Sequence, residues 1–129
     1  MRDVGAERLG RAVIREERLR ATAGLRNTTL ALTSWRGRSG RRYVVGVHPL
    51  EESEIQSLQE AVILAVRRDS DGTAHVLDLA TAGRRPAEPA RERWMHAMRD
   101  RGATEIHVHR LAESDAERRA VVADLSEDA

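Results

Sequence analysis

The chain predicts an α+β domain: a mainly antiparallel sheet of about five strands, helices packed on one face, and a helical N-terminal arm. Three observations lead there. Residues near Leu30 and Leu32, and again Tyr43, Val45 and Val47, alternate with their neighbours on either side of a glycine-bearing turn, the pattern of a β-hairpin. The run "AVILAVRR" is short, rich in β-branched residues and closed by the turn signal "DSDG", as in a central strand followed by its hairpin partner. Two later segments have helical spacing with stop or start signals at their ends.

Taken in order, residues 3–20 are charge-rich with Ala6, Leu9 and Val13 at helical spacing, so residues 1–24 are expected to form a helical arm and residues 25–129 a single domain. Residues 28–35 and 42–48 form the first hairpin, and Pro49, which has no N–H for a ladder, ends its second strand. Residues 51–59 suit a short helix with Ile55 and Leu58 facing inward, although one long helix through Val66 has the same periodicity. Residues 61–68 and 73–79 form the second hairpin, and 81–89 is a loop. The next helix places Ala87, Ala90, Trp94, Ala97 and Met98 on one side, with Met95 diverging from that stripe, and Gly102 stops it. Residues 105–111 supply a fifth strand, whose exposed edge offers a route to a homodimer. Ser114-Asp115-Ala116-Glu117 carries the Ser-x-x-Glu spacing of a capping box, so a last helix runs to about Leu125.

Composition limits the function classes. The 129 residues contain no cysteine and no phenylalanine, and 19 of the apolar residues are alanine. Disulfides, thiolate metal sites and a cysteine nucleophile are thereby excluded. The longest apolar run is far shorter than the roughly 20 residues of a membrane helix, and the first residues lack a secretory pattern. The expectation is a soluble cytoplasmic protein with no membrane partner. Net charge is +1, yet all 22 basic residues are arginine and none of the residues between Glu17 and Glu51 is acidic. After Arg110 the chain carries six acids and two arginines. Charge is therefore segregated into a basic N-terminal half and an acidic end.

The candidate site lies in that basic interval. "WRGRSGRRY" gathers Arg36, Arg38, Arg41 and Arg42 at a hairpin tip, between Trp35 and Tyr43. Guanidinium groups grip phosphate bidentately and remain charged at any relevant pH. Gly37 and Gly40 are expected to let the backbone turn with positive φ and approach a ligand closely, and the two rings are placed to stack on bases. With Arg26, these residues form the expected anion-binding or nucleic-acid-binding set. His107 and His109, two apart on a strand, point to one face and are weak candidates for a zinc or nickel site completed by His75 or Asp78. Since Ile106 and Val108 take the other face, the histidines are expected on the less buried one.

No catalytic signature appears: there is no glycine-rich phosphate loop leading into a helix, no Gly-x-Ser-x-Gly and no His-Glu-x-x-His. No cofactor is expected. The first expectation is a small non-enzymatic binding or regulatory module that engages a polyanion, foremost nucleic acid backbone, through the arginine-rich tip. One alternative is an inhibitor or adaptor that meets an acidic protein surface. Another is a metal-independent ribonuclease with His48 as base and arginines stabilising the phosphorane.

Overall fold

The computed structural model describes residues 14–19, 31–50, 58–84 and 88–126. Six strands and two helices lie within them: β1 (Arg15–Glu17), β2 (Ala31–Arg36), β3 (Arg42–Pro49), β4 (Ala61–Arg68), β5 (Ala74–Ala82), α1 (Glu88–Asp100), β6 (Glu105–His109) and α2 (Asp115–Leu125). The strands form one antiparallel sheet in the order β1-β2-β3-β6-β4-β5. The α+β class holds, with six strands rather than five. Residues 15–17, expected in a helix, pair with β2 as an edge strand. Residues 14, 18 and 19 of the proposed arm are not helical either, and its residues 1–13 and 20–24 and the proposed helix over 51–57 lie outside the described residues.

Both hairpins follow from local chemistry. The β2–β3 ladder runs from Ala31↔Val47 to Arg36↔Arg42, and Gly40, at φ +91°, takes the left-handed turn that an L side chain resists. The β4–β5 ladder runs from Ala61↔Ala82 to Arg68↔Ala74, with an irregularity between Ala65 and Val66. Strand β6 inserts between β3 and β4. It therefore has no free edge, and the expected pairing of this strand with its copy has no edge to use. The sheet's edges are β1 and β5. On β5, the carbonyls of Leu77 and Thr81 accept from Arg101 (3.1 Å) and Arg91 (3.0 Å), so guanidiniums cover part of the row of groups that would template another strand.

The position of β4 between β6 and β5 explains why its first six residues are all buried. Ala61, Ile63 and Ala65 pack with Ile106, Val108, Met95 and Met98, beneath α1. Val62, Leu64 and Val66 pack with Trp35, Tyr43, Val45, Val121 and Leu125, beneath α2. Because alternate residues of one strand face opposite sides, the two helices cover opposite faces of the sheet, not one. Each apolar face is long enough to need its own cover, and burial is worth about 1.5–3 kcal/mol for a side chain such as Ile63. Met95 is fully buried and belongs to the helix's inner stripe, while Ala90 and Ala97 are exposed. Trp94 is half-buried, donates to Asp78 (2.8 Å) and carries Arg91 over its ring at 5.6 Å. The second helix begins as its spacing predicts: the Ser114 hydroxyl accepts from the Glu117 N–H.

The sheet curls until β1 comes alongside β5. Its α2 side is the concave one, and a cleft of about 460 Å³ opens between these edges, lined by Glu16, Arg18, Trp35, Thr73 and His75 among others. Among the described residues no helix is long and apolar enough to cross a membrane.

Candidate functional site

Three strand ends meet at the arginine tip. Arg36 pairs across the hairpin with Arg42 and, on its other side, with Arg15 of β1. The same register puts Glu17 on this face. Glu17 accepts from Arg36 at 2.8 and 3.0 Å and from Arg15 at 3.0 Å, and forms an ion pair with Arg42 at 2.9 Å. Hydrogen bonding from Arg36 foremost, and then from Arg15, outweighs desolvation and holds the Glu17 carboxyl down at about 2. Arg36 also donates to the Gly40 carbonyl (2.6 Å), which closes the turn.

The turn itself lies against the last turn of α2. The Asp124 carboxylate accepts from the Ser39 N–H (2.8 Å), the Ser39 hydroxyl (2.7 Å) and the Tyr43 hydroxyl (2.8 Å). The Arg38 N–H donates to the Asp124 carbonyl and its guanidinium to the Ala123 carbonyl, both at 3.0 Å. Gly37 makes this docking possible: a Cβ there would sit on the Asp124 carboxylate. Desolvation pushes the Asp124 carboxyl up, but the bonds from Ser39 and Tyr43 and the charge of Arg38 overcome it and leave the group below its ordinary value. Burial, followed by the bond to Asp124, pushes the Tyr43 hydroxyl up.

Several expectations are corrected by this arrangement. The tip is not a projecting finger, because α2 holds it. The acid-free interval of the sequence acquires two carboxylates through folding, Glu17 from β1 and Asp124 from α2. Trp35 and Tyr43 are both buried in the core, so neither ring is available to stack on a base. Arg26 lies outside the described residues. The arginines nevertheless outnumber the acids. Among the described residues, five guanidiniums (Arg15, Arg36, Arg38, Arg41, Arg42) lie at this hairpin end with two carboxylates, Glu17 on one face of the ladder and Asp124 on the other, a local excess of three. The side chains of Arg15 and Arg42 remain 61% and 58% exposed, and Arg41 is exposed as well.

His107 and His109 do share a face, the concave one, but both are buried. The expectation of a less buried face fails because α2 covers it. The Trp35 indole N–H donates to His107 Nδ1 (2.9 Å), which makes Nδ1 the acceptor and assigns the proton to Nε2. Nε2 in turn contacts Glu105 (2.8 Å). Both ring nitrogens of His107 are thus engaged and neither is left for a metal. His109 Nδ1 contacts the Val44 carbonyl (2.8 Å), and its ring meets Tyr43 edge-on at 5.5 Å. His75 contacts Asp69, and Asp78 accepts from Trp94, so neither completes a metal set. Among the described residues no group of three potential ligands converges on a metal position.

The chain of contacts continues beyond His107. Glu105 accepts from Arg68 (2.7 Å), and Arg68 donates both terminal nitrogens to Glu16 of β1, at 3.0 and 2.9 Å. Trp35, His107, Glu105, Arg68 and Glu16 thus form one polar chain across the concave face. It borders a second cleft of about 340 Å³ lined by Glu16, Arg18, Thr33, Val47, Arg68 and Glu105. The bond from His107, followed by that from Arg68, holds the Glu105 carboxyl at about 2 despite desolvation. Desolvation raises Glu16, and its bonds and charge contact with Arg68 more than reverse that. Arg68 between them, with the bond from His107 to Glu105, holds both carboxylates ionised. His48 shares the α1 face with Ile106 and Val108, away from the arginine tip, so the ribonuclease constellation does not assemble.

Glu16, Glu17, Arg68, Glu105 and Asp124 were not singled out from the sequence. Comparison with protein-family models, with curated proteins and with solved structures returned no match.

Proposed function

We propose that this is a small non-enzymatic binding or regulatory module whose basic hairpin end engages a polyanion, foremost the phosphate backbone of a nucleic acid. The observation that carries the reading is the surplus of charge: five guanidiniums against two carboxylates, with Arg15, Arg41 and Arg42 facing solvent. The bonds from Arg36 to Glu17 and Gly40 and from Arg38 to α2 fix the backbone of the tip, so little entropy is lost when phosphates dock. With the aromatic rings in the core, recognition rests on backbone charge and is indifferent to base sequence.

Each phosphate neutralised contributes about one decade of affinity near 50 mM salt through counterion release. The test is a gel-shift titration of a random oligonucleotide with wild type and the Arg41→Ala/Arg42→Ala variant. The expected loss is on the order of 100-fold for the pair. Equal binding by the two proteins, or no binding by wild type at low salt, refutes the reading.

A second reading is favoured by the clamped geometry of the tip. A basic end held in place by α2 and Glu17 also suits an acidic protein partner, as an inhibitor or adaptor would meet it. In that case the oligonucleotide does not bind, and a pull-down recovers a partner that the same double variant loses.

A further inference from the structure

The contacts around Asp124 have the form of an occupied oxyanion site. Three donors from the turn converge on one carboxylate: the Ser39 N–H at 2.8 Å, the Ser39 hydroxyl at 2.7 Å and the Tyr43 hydroxyl at 2.8 Å. The absent side chain of Gly37 is what makes room for the carboxylate, since a Cβ would overlap it. Turns that aim successive backbone N–H groups at one negative charge form nests; here one backbone N–H and two hydroxyls make a nest-like cradle, and charge-assisted bonds of this kind are about twice as strong as neutral ones. Arg38 supplies a second, independent sign. Its Nε is shielded from solvent and has no hydrogen-bond partner, although its Nη2 reaches the Ala123 carbonyl. A buried guanidinium N–H without an acceptor is costly, and a tetrahedral oxyanion offers more acceptor positions than a carboxylate does.

We infer that the Gly37–Tyr43 turn is an oxyanion-binding site which the chain fills with its own Asp124 carboxylate, and that phosphate takes this place when the carboxylate is absent. The inference deepens the polyanion reading by naming one phosphate position within the basic end, yet its probe is a lone ion and not a nucleic acid. It also makes α2 an intramolecular competitor. Tethered groups of this kind act at an effective concentration on the order of millimolar or above, so phosphate must bind wild type more weakly than a chain without the carboxylate.

The test uses the full chain with Asp124→Ala and inorganic phosphate as the probe, at constant ionic strength with chloride as the control. The Ser39 amide resonance is followed by NMR, and far-UV circular dichroism establishes that the variant is folded. The expected result is a saturable phosphate-dependent shift in the variant, at least about tenfold tighter than in wild type. Adding Tyr43→Phe to the variant is expected to weaken it about threefold or more, since one donor is lost. If Asp124→Ala does not fold, Asp124→Asn retains the shape but not the charge, and is expected to bind phosphate more tightly than wild type. The same response in wild type and in the folded variant, or no saturable response in either variant, overturns the inference. Oligonucleotide binding by wild type without a phosphate response in the variant removes the nest alone. A phosphate response without oligonucleotide binding removes the polyanion reading and leaves the nest standing.

Discussion

Replacing His107 by leucine tests the polar chain of the concave face. The side chain is fully buried, with Trp35 on one nitrogen and Glu105 on the other. Leucine is close in volume, so the cavity term is small. Two losses remain. The Trp35 N–H becomes a buried donor without an acceptor, at a cost of about 1–3 kcal/mol. Glu105 loses the first of the contacts that hold it ionised, a further 1–2 kcal/mol or so once screening at the cleft mouth is allowed for. The greater apolarity of leucine returns roughly 1 kcal/mol. The net expectation is a destabilisation of about 1–4 kcal/mol, a drop in Tm of roughly 3–15 °C for a domain of this size. The assay is thermal and urea unfolding followed by circular dichroism and by tryptophan fluorescence, with Trp35→Phe and the double variant completing the cycle. Because the phenylalanine removes the orphaned donor, the double variant is expected to cost at least about 1 kcal/mol less than the sum of the singles. A single variant within about 0.5 kcal/mol of wild type, or strict additivity in the cycle, would show that this chain of contacts is not what holds the concave face.

The remaining predictions concern the tip, the acid range and the sheet edge. Gly37→Ala, which drives a methyl into the Asp124 carboxylate, is expected to cost about 2–4 kcal/mol in urea unfolding. Gly40→Ala has open space around it and pays only for φ +91°, about 1–2 kcal/mol; equal costs for the two would contradict the clamp. Glu105 titrates near 2 when folded against 4.5 when unfolded. Its contribution to stability is therefore full above about pH 4.5 and is lost as pH falls towards 2. His107→Leu should move that loss to higher pH in acid-unfolding curves, and an unshifted curve would count against the assignment. Arg91→Ala/Arg101→Ala uncovers the Leu77 and Thr81 carbonyls on β5. Light scattering should then show concentration-dependent self-association that wild type lacks; a monomeric double variant would show that these arginines do not guard the edge.

What the sequence revealed and what it hid divide along the range of the interactions. The two hairpins were legible because alternation and turn chemistry are local: "AVILAVRR" before "DSDG" marks β4 and its partner, and "WRGRSGRRY" marks the β2–β3 turn. The start of α2 was legible for the same reason, since the Ser114 hydroxyl accepts from the Glu117 N–H within one turn. Sheet order was not. The insertion of β6 between β3 and β4 depends on a pairing across some 60 residues that no local pattern encodes, and with it went the prediction of a dimer edge. Residues 15–17 read as helix because Arg-Glu-Glu has no apolar alternation; an edge strand whose Glu16 and Glu17 both serve arginines leaves no hydrophobic trace.

The arginine tip was found but its setting was not. Nothing near residue 40 signals that Asp124, more than 80 positions away, supplies its acceptor. Gly37 was expected to turn with positive φ like Gly40; only Gly40 does, and Gly37 makes room for the Asp124 carboxylate instead. His107 and His109 were placed on one face correctly from their spacing. Their burial followed from α2 covering that face, which the sequence left open.

The central claim, that surplus guanidinium charge at the hairpin end binds a phosphate backbone, is tested most directly by the salt dependence of binding. Fluorescence anisotropy with a labelled single-stranded oligonucleotide between about 30 and 300 mM salt gives the slope of log Kd against log[salt]. Three solvent-facing arginines predict a slope of about 2, from roughly 0.7 per phosphate contact on a single strand, falling to below 1 in Arg41→Ala/Arg42→Ala. Absence of binding at the lowest salt, or a slope that does not change in the variant, would contradict the account.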